Sequence, residues 1–248
     1  MSRKARKYKC NRYRKNKGEN YLRVIQGGAL ERQRQKEVHI VPRNFNQDDL
    51  LGHIQDQNTN IVFAVGPAGT GKTLISTLAG IKLLKSNKIN KLVITRPAVS
   101  VDEQHGFLPG TLQEKMAPWT RPIMDVFEDY YSPEQIEYML SDNKIEIAPL
   151  AYMRGRTFKD AYIIADEMQN ATDNQMKMLL TRIGTNSKII VTGDLDQHDR
   201  GYESNGLKMF IERLTRTQSN RIKNVMFSSK DIERHPAVAE VLRLYSTC

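Results

Sequence analysis

The chain has few cysteines and no long apolar run. Cys10 and Cys248 are its two cysteines and lie at opposite ends of the 248 residues, so neither a disulfide framework nor a clustered zinc site is predicted. No stretch approaches the roughly 18 to 20 apolar residues that a membrane helix needs. The basic amino terminus also lacks the apolar segment of a secretion signal. We therefore expect a soluble, cytoplasmic protein.

Positive charge is concentrated at the amino terminus. Residues 1–36 hold thirteen Lys and Arg against two Glu, a charge of +11, whereas the whole chain carries +10. This segment has no apolar periodicity, and we expect residues 1–40 to form a disordered tail. Basic side chains neutralise phosphates, and Tyr8, Tyr13 and Tyr21 can stack on unpaired bases, which favours RNA or single-stranded DNA as the partner. A solubilising tail that binds nothing is the alternative.

Beyond residue 40, short apolar runs alternate with amphipathic stretches. This alternation predicts a doubly wound α/β domain over residues 41–248, with a parallel sheet covered by helices on both faces. The predicted strands comprise residues 61–66, 91–96, 144–148, 161–166, 188–193 and 224–228. The predicted helices comprise residues 72–84, 111–129, 133–140, 172–183, 204–214 and 237–245, with a helix-like stretch at 47–54.

The clearest chemical motif is the run GPAGTGKT, which follows an apolar strand and precedes an amphipathic helix. Its residues are Gly66, Pro67, Ala68, Gly69, Thr70, Gly71, Lys72 and Thr73. The pattern is that of a P-loop, in which glycines let backbone N–H groups converge on phosphate oxygens at a helix N-terminus. Lys72 would neutralise the terminal phosphates, and the Thr73 hydroxyl would ligate Mg2+. A nucleoside triphosphate is the predicted ligand.

Acidic and amide residues follow two of the predicted strands. Asp166 and Glu167 end the strand that begins at residue 161, and Asp194 and Gln197 follow the next one. Asp166 would hold the metal, and Glu167 would polarise the water that attacks the terminal phosphate. Asp194 and Gln197 could hydrogen-bond that water or the metal's ligands and so sense the third phosphate. For Asp166 and Glu167, the start of a solvated loop is the alternative.

The same motifs resemble those of known nucleotide-driven proteins. The runs DEMQ and GDLDQ look like motifs II and III of superfamily 1 helicases. Together with the P-loop, the runs TRP at 95–97, GFLPG at 106–110 and MRGRT at 153–157 resemble the PhoH-like ATPase family over about residues 41–242. The resemblance implies a single RecA-like core, hydrolysis of ATP, and association with RNA or DNA. Helicase activity is a proposal for that family.

The helicase pattern also implies roles for polar residues outside the phosphate-binding motifs. Gln47, after Asn46, resembles a glutamine that selects adenine, and an amide can both donate to and accept from that base; a helix N-cap region is the alternative. Arg96, Arg154 and Arg156 lie where helicase-like proteins contact a strand's phosphates. Ion pairing at the surface is the alternative for these arginines.

The resemblance further implies a shared catalytic site. Superfamily 1 helicases use two RecA-like domains, whereas this sequence predicts one. A neighbouring subunit would then supply an arginine finger, which predicts a homo-oligomer, by resemblance a hexameric ring. The candidate arginines are Arg182, Arg200 and Arg234. A small-molecule kinase, or a nucleotide-gated nucleic-acid-binding protein with little hydrolysis, is the alternative function.

Overall fold

The amino-terminal segment and the rest of the chain form separate compact units. The computed structural model describes residues 22–24, 30–32, 36–97, 112–197, 205–233 and 237–238. The two units are Met1–Lys36 and Glu37–Cys248. In the first unit, β1 (Leu22–Val24) pairs with β2 (Leu30–Arg32) in antiparallel orientation. No strand is predicted there from the sequence, and the predicted disorder of the tail falls mainly on residues outside those described.

The second unit alternates strands with helices. Its strands are β3 (Ile61–Val65), β4 (Lys91–Arg96), β5 (Ile145–Pro149), β6 (Ala161–Ala165), β7 (Lys188–Gly193) and β8 (Ile222–Met226). Its helices are α1 (Phe45–Gln55), α2 (Lys72–Lys85), α3 (Leu112–Glu128), α4 (Pro133–Ser141), α5 (Asp173–Leu180) and α6 (Gly206–Thr215). Each predicted strand is present within two residues of its predicted bounds. Of the helix predicted at 237–245, the described part is 237–238, and it is helical.

The strands form one six-stranded sheet in the order β5-β4-β6-β7-β3-β8. All neighbouring pairs run parallel, so their carboxyl ends share one edge, where open α/β sheets bind ligands. The strand β7 lies between β3, which leads into the P-loop, and β6, which leads into Asp166. The predicted α/β fold with a parallel sheet is confirmed.

Alternate residues of the strands pack against different helices. Val62 and Ala64 join a core with α1, α2, α3 and α4, whereas Phe63 and Val65 join a second core with α5 and α6. The strand β3 is therefore buried on both faces, as its continuous apolar sequence predicts. No helix in the described ranges is long and apolar enough to cross a membrane.

Candidate functional site

Glycines with positive φ shape the loop that follows β3. Gly66, Gly69 and Gly71 have φ of 145°, 86° and 81°, a region that residues with a Cβ rarely adopt. A Cβ on Gly66 would also lie 2.3 Å from the carbonyl oxygen of Phe227. Gly71 directly precedes α2, so the loop leads into a helix N-terminus, the geometry that binds phosphate through backbone N–H groups.

The Lys72 ammonium lies inside the curve of this loop. Its Nζ donates hydrogen bonds to the carbonyl oxygens of Gly66 at 2.7 Å and Pro67 at 2.6 Å, and the residue is 8% exposed. Burial lowers the pKa of Lys72, while nearby carboxylates oppose this effect. The opposing charges belong to Asp194, Glu167 and Asp166. The predicted lysine and all three predicted acids are therefore brought together at one sheet edge.

Gln47 braces the loop from the side of α1. Its Nε2 donates to the Thr70 carbonyl at 3.0 Å, and its Oε1 accepts from the Arg43 backbone N–H at 2.8 Å. The helix N-cap is Asn44, whose side chain accepts from the Gln47 N–H, so α1 begins earlier than the helix-like stretch predicted at residue 47. The adenine contact of Gln47 stays a prediction, since both atoms of its amide bind the chain here.

Asp166 directly follows β6 and connects it to α2 and β7. Its Oδ1 accepts a hydrogen bond from the Thr73 hydroxyl at 2.9 Å and another from the Thr192 hydroxyl on β7. Hydroxyl and carboxylate oxygens are suitable ligands for Mg2+. The described residues include no group of three or more His, Cys, Asp or Glu that could hold a metal. A cation bound by Thr73 and Asp166 would therefore need further oxygens from phosphate or water, as is usual for Mg2+.

Glu167 has an unusual backbone and a held side chain. Its φ is +55°, a left-handed conformation that costs about 1–3 kcal/mol in a residue other than glycine and is common at functional sites. The Gln169 Nε2 donates a hydrogen bond to the Glu167 Oε2 at 2.6 Å. The Gln169 Oε1 accepts from the Asp194 backbone N–H at 3.1 Å. The buried Gln169 amide thus links the Glu167 carboxylate, which is predicted to polarise the attacking water, to the segment after β7.

Asp194 and Gln197 differ in environment. Asp194 is 7% exposed, and its Oδ1 accepts from the Asp196 N–H at 3.1 Å, whereas Gln197 is exposed. Their role in sensing phosphate stays a prediction, and Asp194 is the better placed because it follows Gly193, whose carbonyl oxygen accepts from the Gly66 N–H at 3.0 Å.

Two residues that contact the predicted acids are absent from the sequence-based predictions. Thr192 has one available signal, a hydroxyl residue near the end of an otherwise apolar strand. Gln169 belongs to the DEMQ motif but has no predicted role of its own. Both contacts depend on the register in which β7 pairs with β6, which the sequence alone does not reveal.

The predicted nucleic-acid arginines have different surroundings. Arg156 pairs through both terminal guanidinium nitrogens with Glu146, which also binds Lys91. This is the ion pairing that the sequence leaves open as an alternative. Arg96 donates to the Trp119 carbonyl at 3.4 Å, and Arg154 is exposed. A nucleic-acid contact stays a prediction for all three arginines.

Of the candidate trans arginines, the structure describes Arg182. Its guanidinium donates to the carbonyls of Met178 at 3.1 Å and Arg156 at 3.2 Å. It therefore holds the end of α5 in its own chain. Arg200 and Arg234 lie outside the described residues.

Comparison with known proteins establishes the family. A family model described as "PhoH-like protein" matches residues 39–246. The chain belongs to the PhoH-like family. A PhoH-like protein of Bacillus subtilis is 45% identical over 191 residues, covering 76% of this chain and 59% of that protein. A PhoH-like protein of Mycobacterium tuberculosis is 44% identical over 208 residues, covering 84% and 58%. Protein PhoH of Escherichia coli is 38% identical over 237 residues, covering 92% and 66%.

This PhoH-like chain spans about 58% of the length of its mycobacterial relatives. Among solved structures, the helicase MrfA bound to DNA gives a TM-score of 0.42 at 14% identity and covers 81% of this chain and 30% of that one. Bacteroides Pif1 bound to single-stranded DNA gives 0.35 at 18% identity and covers 83% and 46%. The fold class rests on the strand order rather than on these distant similarities.

Proposed function

We propose that this PhoH-like protein is a Mg2+-dependent ATPase that acts on single-stranded RNA or DNA as a helicase-like motor or remodeller. The observation that carries the proposal is the hydrogen bond of 2.9 Å between the Thr73 hydroxyl and Asp166. It joins the P-loop helix to the acid that follows β6. Phosphate-binding and hydrolytic groups thus meet at one sheet edge.

The site residues divide the chemistry between them. Backbone N–H groups of the P-loop bind the phosphates, and Lys72 exchanges its carbonyl partners for phosphate oxygens. Thr73 and Asp166 hold Mg2+, which neutralises charge on the phosphate oxygens. Glu167 accepts a hydrogen bond from the attacking water and orients it toward the terminal phosphorus. Asp194 contacts the same water or the ligands of the metal.

The basic tail supports nucleic acid as the partner. Its charge of +11 lies in a segment that also contains three tyrosines. Counterion release from a bound strand gives such a segment a strong dependence on salt. The tail would thus hold the strand while ATP turnover proceeds in the second unit.

A second copy of the chain completes the site in this proposal. The second unit contains one six-stranded sheet, its described residues include one P-loop, and Arg182 forms hydrogen bonds within its own chain. Arg182, Arg200 and Arg234 are the candidate trans arginines of a homo-oligomer, which we take to be a hexameric ring, and Arg182 would have to release its own-chain hydrogen bonds to act in trans. Turnover per chain should rise with protein concentration, whereas full activity in a demonstrated monomer would exclude a trans arginine.

The test is ATP turnover with and without single-stranded RNA or DNA. Glu167→Gln should retain ATP binding and lose about 100-fold or more in kcat, and Glu137→Gln, exposed on α4, is the matched control. Deleting residues 1–36 should weaken strand binding and flatten its salt dependence. Normal turnover in Glu167→Gln would overturn the hydrolytic role of Glu167. If the deletion leaves the salt dependence of strand affinity unchanged, the tail is solubilising and does not bind the strand.

A further inference from the structure

Both acids of the site are tied to β7, but by different connections. Asp166 accepts directly from the Thr192 hydroxyl. Glu167 is connected to the residue after β7 through Gln169. The Gln169 Nε2 donates to the Glu167 carboxylate at 2.6 Å, and the Gln169 Oε1 accepts from the Asp194 N–H at 3.1 Å. A change in the backbone at residue 194 would therefore move the amide that holds Glu167.

The surroundings of Gln169 fix its side chain. The residue is 1% exposed and lies in a short 3-10 helix, Met168–Asn170, whose other two residues are fully buried. A Cβ on Gly193 would lie 2.8 Å from the Gln169 Oε1 and 2.5 Å from Leu207 Cδ2. The amide thus fills the space left by a glycine, and it has little room to adopt another rotamer.

We propose that Gln169 is a positioning residue that orients the Glu167 carboxylate and couples it to the segment after β7. This proposal rests on the proposed ATPase function. The segment begins directly after Gly193, whose carbonyl oxygen accepts a hydrogen bond from the Gly66 N–H of the P-loop at 3.0 Å, so it lies beside the loop that would bind the phosphates. When Asp194 binds the attacking water or the ligands of the metal, its backbone N–H shifts, and Gln169 passes this shift to the Glu167 carboxylate.

An amide is the side chain that suits both contacts. It donates through nitrogen to a carboxylate and accepts through oxygen from an N–H. A glutamate at this position keeps an acceptor for the Asp194 N–H, but it has no donor for Glu167 and brings two like charges together. A methionine of similar length offers neither strong contact. The two substitutions therefore separate loss of the Glu167 contact from loss of both contacts.

The experiment measures kcat, KM and equilibrium ATP affinity for Gln169→Glu and Gln169→Met. We expect kcat to fall about 10-fold or more in each, with ATP affinity within about twofold of wild type, because the phosphate-binding loop is untouched. Gln175→Glu is the matched control. The Gln175 Oε1 accepts from the Thr172 N–H in a capping box at the start of α5, and glutamate serves equally there.

A second arm tests whether Gln169 acts through Glu167. In a chain already carrying Glu167→Gln, adding Gln169→Glu should reduce kcat little further, since the residue that Gln169 positions is gone. An equal loss in both backgrounds would overturn the proposal, as would a parallel fall in ATP affinity and kcat. Wild-type protein that binds ATP without hydrolysing it would refute the proposed function itself. Full turnover in wild type and Gln169→Glu alike would refute only the role of Gln169.

Discussion

Removing the charge of Glu146 tests whether the ion pair between Arg156 and Glu146 stabilises the fold. Glu146 lies on β5 and contacts Lys91 on β4 at 2.9 Å and Arg156 through both carboxylate oxygens. Hydrogen bonding from Arg156, with help from Lys91, lowers the pKa of Glu146 from 4.5 to about 2 against the opposing effect of burial. The folded state therefore favours the ionised carboxylate, and Glu146→Gln removes this preference.

The pKa difference sets the size of the effect. A fall from 4.5 to about 2 corresponds to at most about 3.4 kcal/mol of folding free energy. The side chains of Arg156 and Lys91 are 35% and 29% exposed, and solvent screening reduces the expected loss to about 1–2 kcal/mol at pH 7. Because the folded pKa is lowered, the stabilisation is complete above pH 4.5 and disappears as the pH falls through about 2.

Urea unfolding of wild type and Glu146→Gln at pH 7 and pH 3 measures this difference. We expect it to shrink by about half or more at pH 3, with Glu137→Gln as the control at both values. Equal stability of wild type and Glu146→Gln at pH 7 would refute the ion-pair account. Strand binding by Arg156→Ala should then be measured at several salt concentrations. Loss of a purely structural arginine leaves the slope of log affinity against log salt concentration unchanged, whereas loss of a phosphate contact reduces that slope by about 1.

Two further changes probe the phosphate and metal sites. Thr192→Val removes a hydroxyl that donates to Asp166, so the Mg2+ concentration for half-maximal turnover should rise about 5-fold or more; an unchanged Mg2+ titration would contradict the role of Thr192. Gly66→Ala places a Cβ 2.3 Å from the Phe227 carbonyl oxygen at a φ of 145°, so it should lower both the melting temperature and ATP affinity. Gly52→Ala, with no heavy atom within 4 Å of its new Cβ, should stabilise α1 by up to about 1 kcal/mol, and comparable losses in both glycine variants would contradict the steric argument.

Local patterns in the sequence predict much of the fold. The strands are short, β-branched and bounded by polar residues, so their positions can be predicted without knowing their neighbours. The P-loop is equally local, because its glycines, Lys72 and Thr73 are consecutive in the chain. Asp166 and Glu167 are predictable because parallel strands end at a common edge.

Contacts between strands are harder to predict. The Thr192 and Gln169 contacts require β7 beside β6, and the pairing of Glu146 with Lys91 requires β5 beside β4. Both pairs join strands that are consecutive in the chain, which are usual neighbours, but the strand pattern does not give the register that brings these particular side chains together. The sequence likewise does not show whether the Arg156 guanidinium contacts nucleic acid or pairs with Glu146. The sequence also does not predict the hydrogen bond from the Gln47 amide to the Thr70 carbonyl.

The central claim is that the loop around Lys72 binds ATP for hydrolysis. The most direct measurement is phosphate release from ATP by wild type, Lys72→Ala and Lys82→Ala, which changes an exposed lysine of the same helix. Mg2+-dependent turnover should be present in wild type and Lys82→Ala and fall about 100-fold or more in Lys72→Ala. Normal phosphate release by Lys72→Ala would contradict the account.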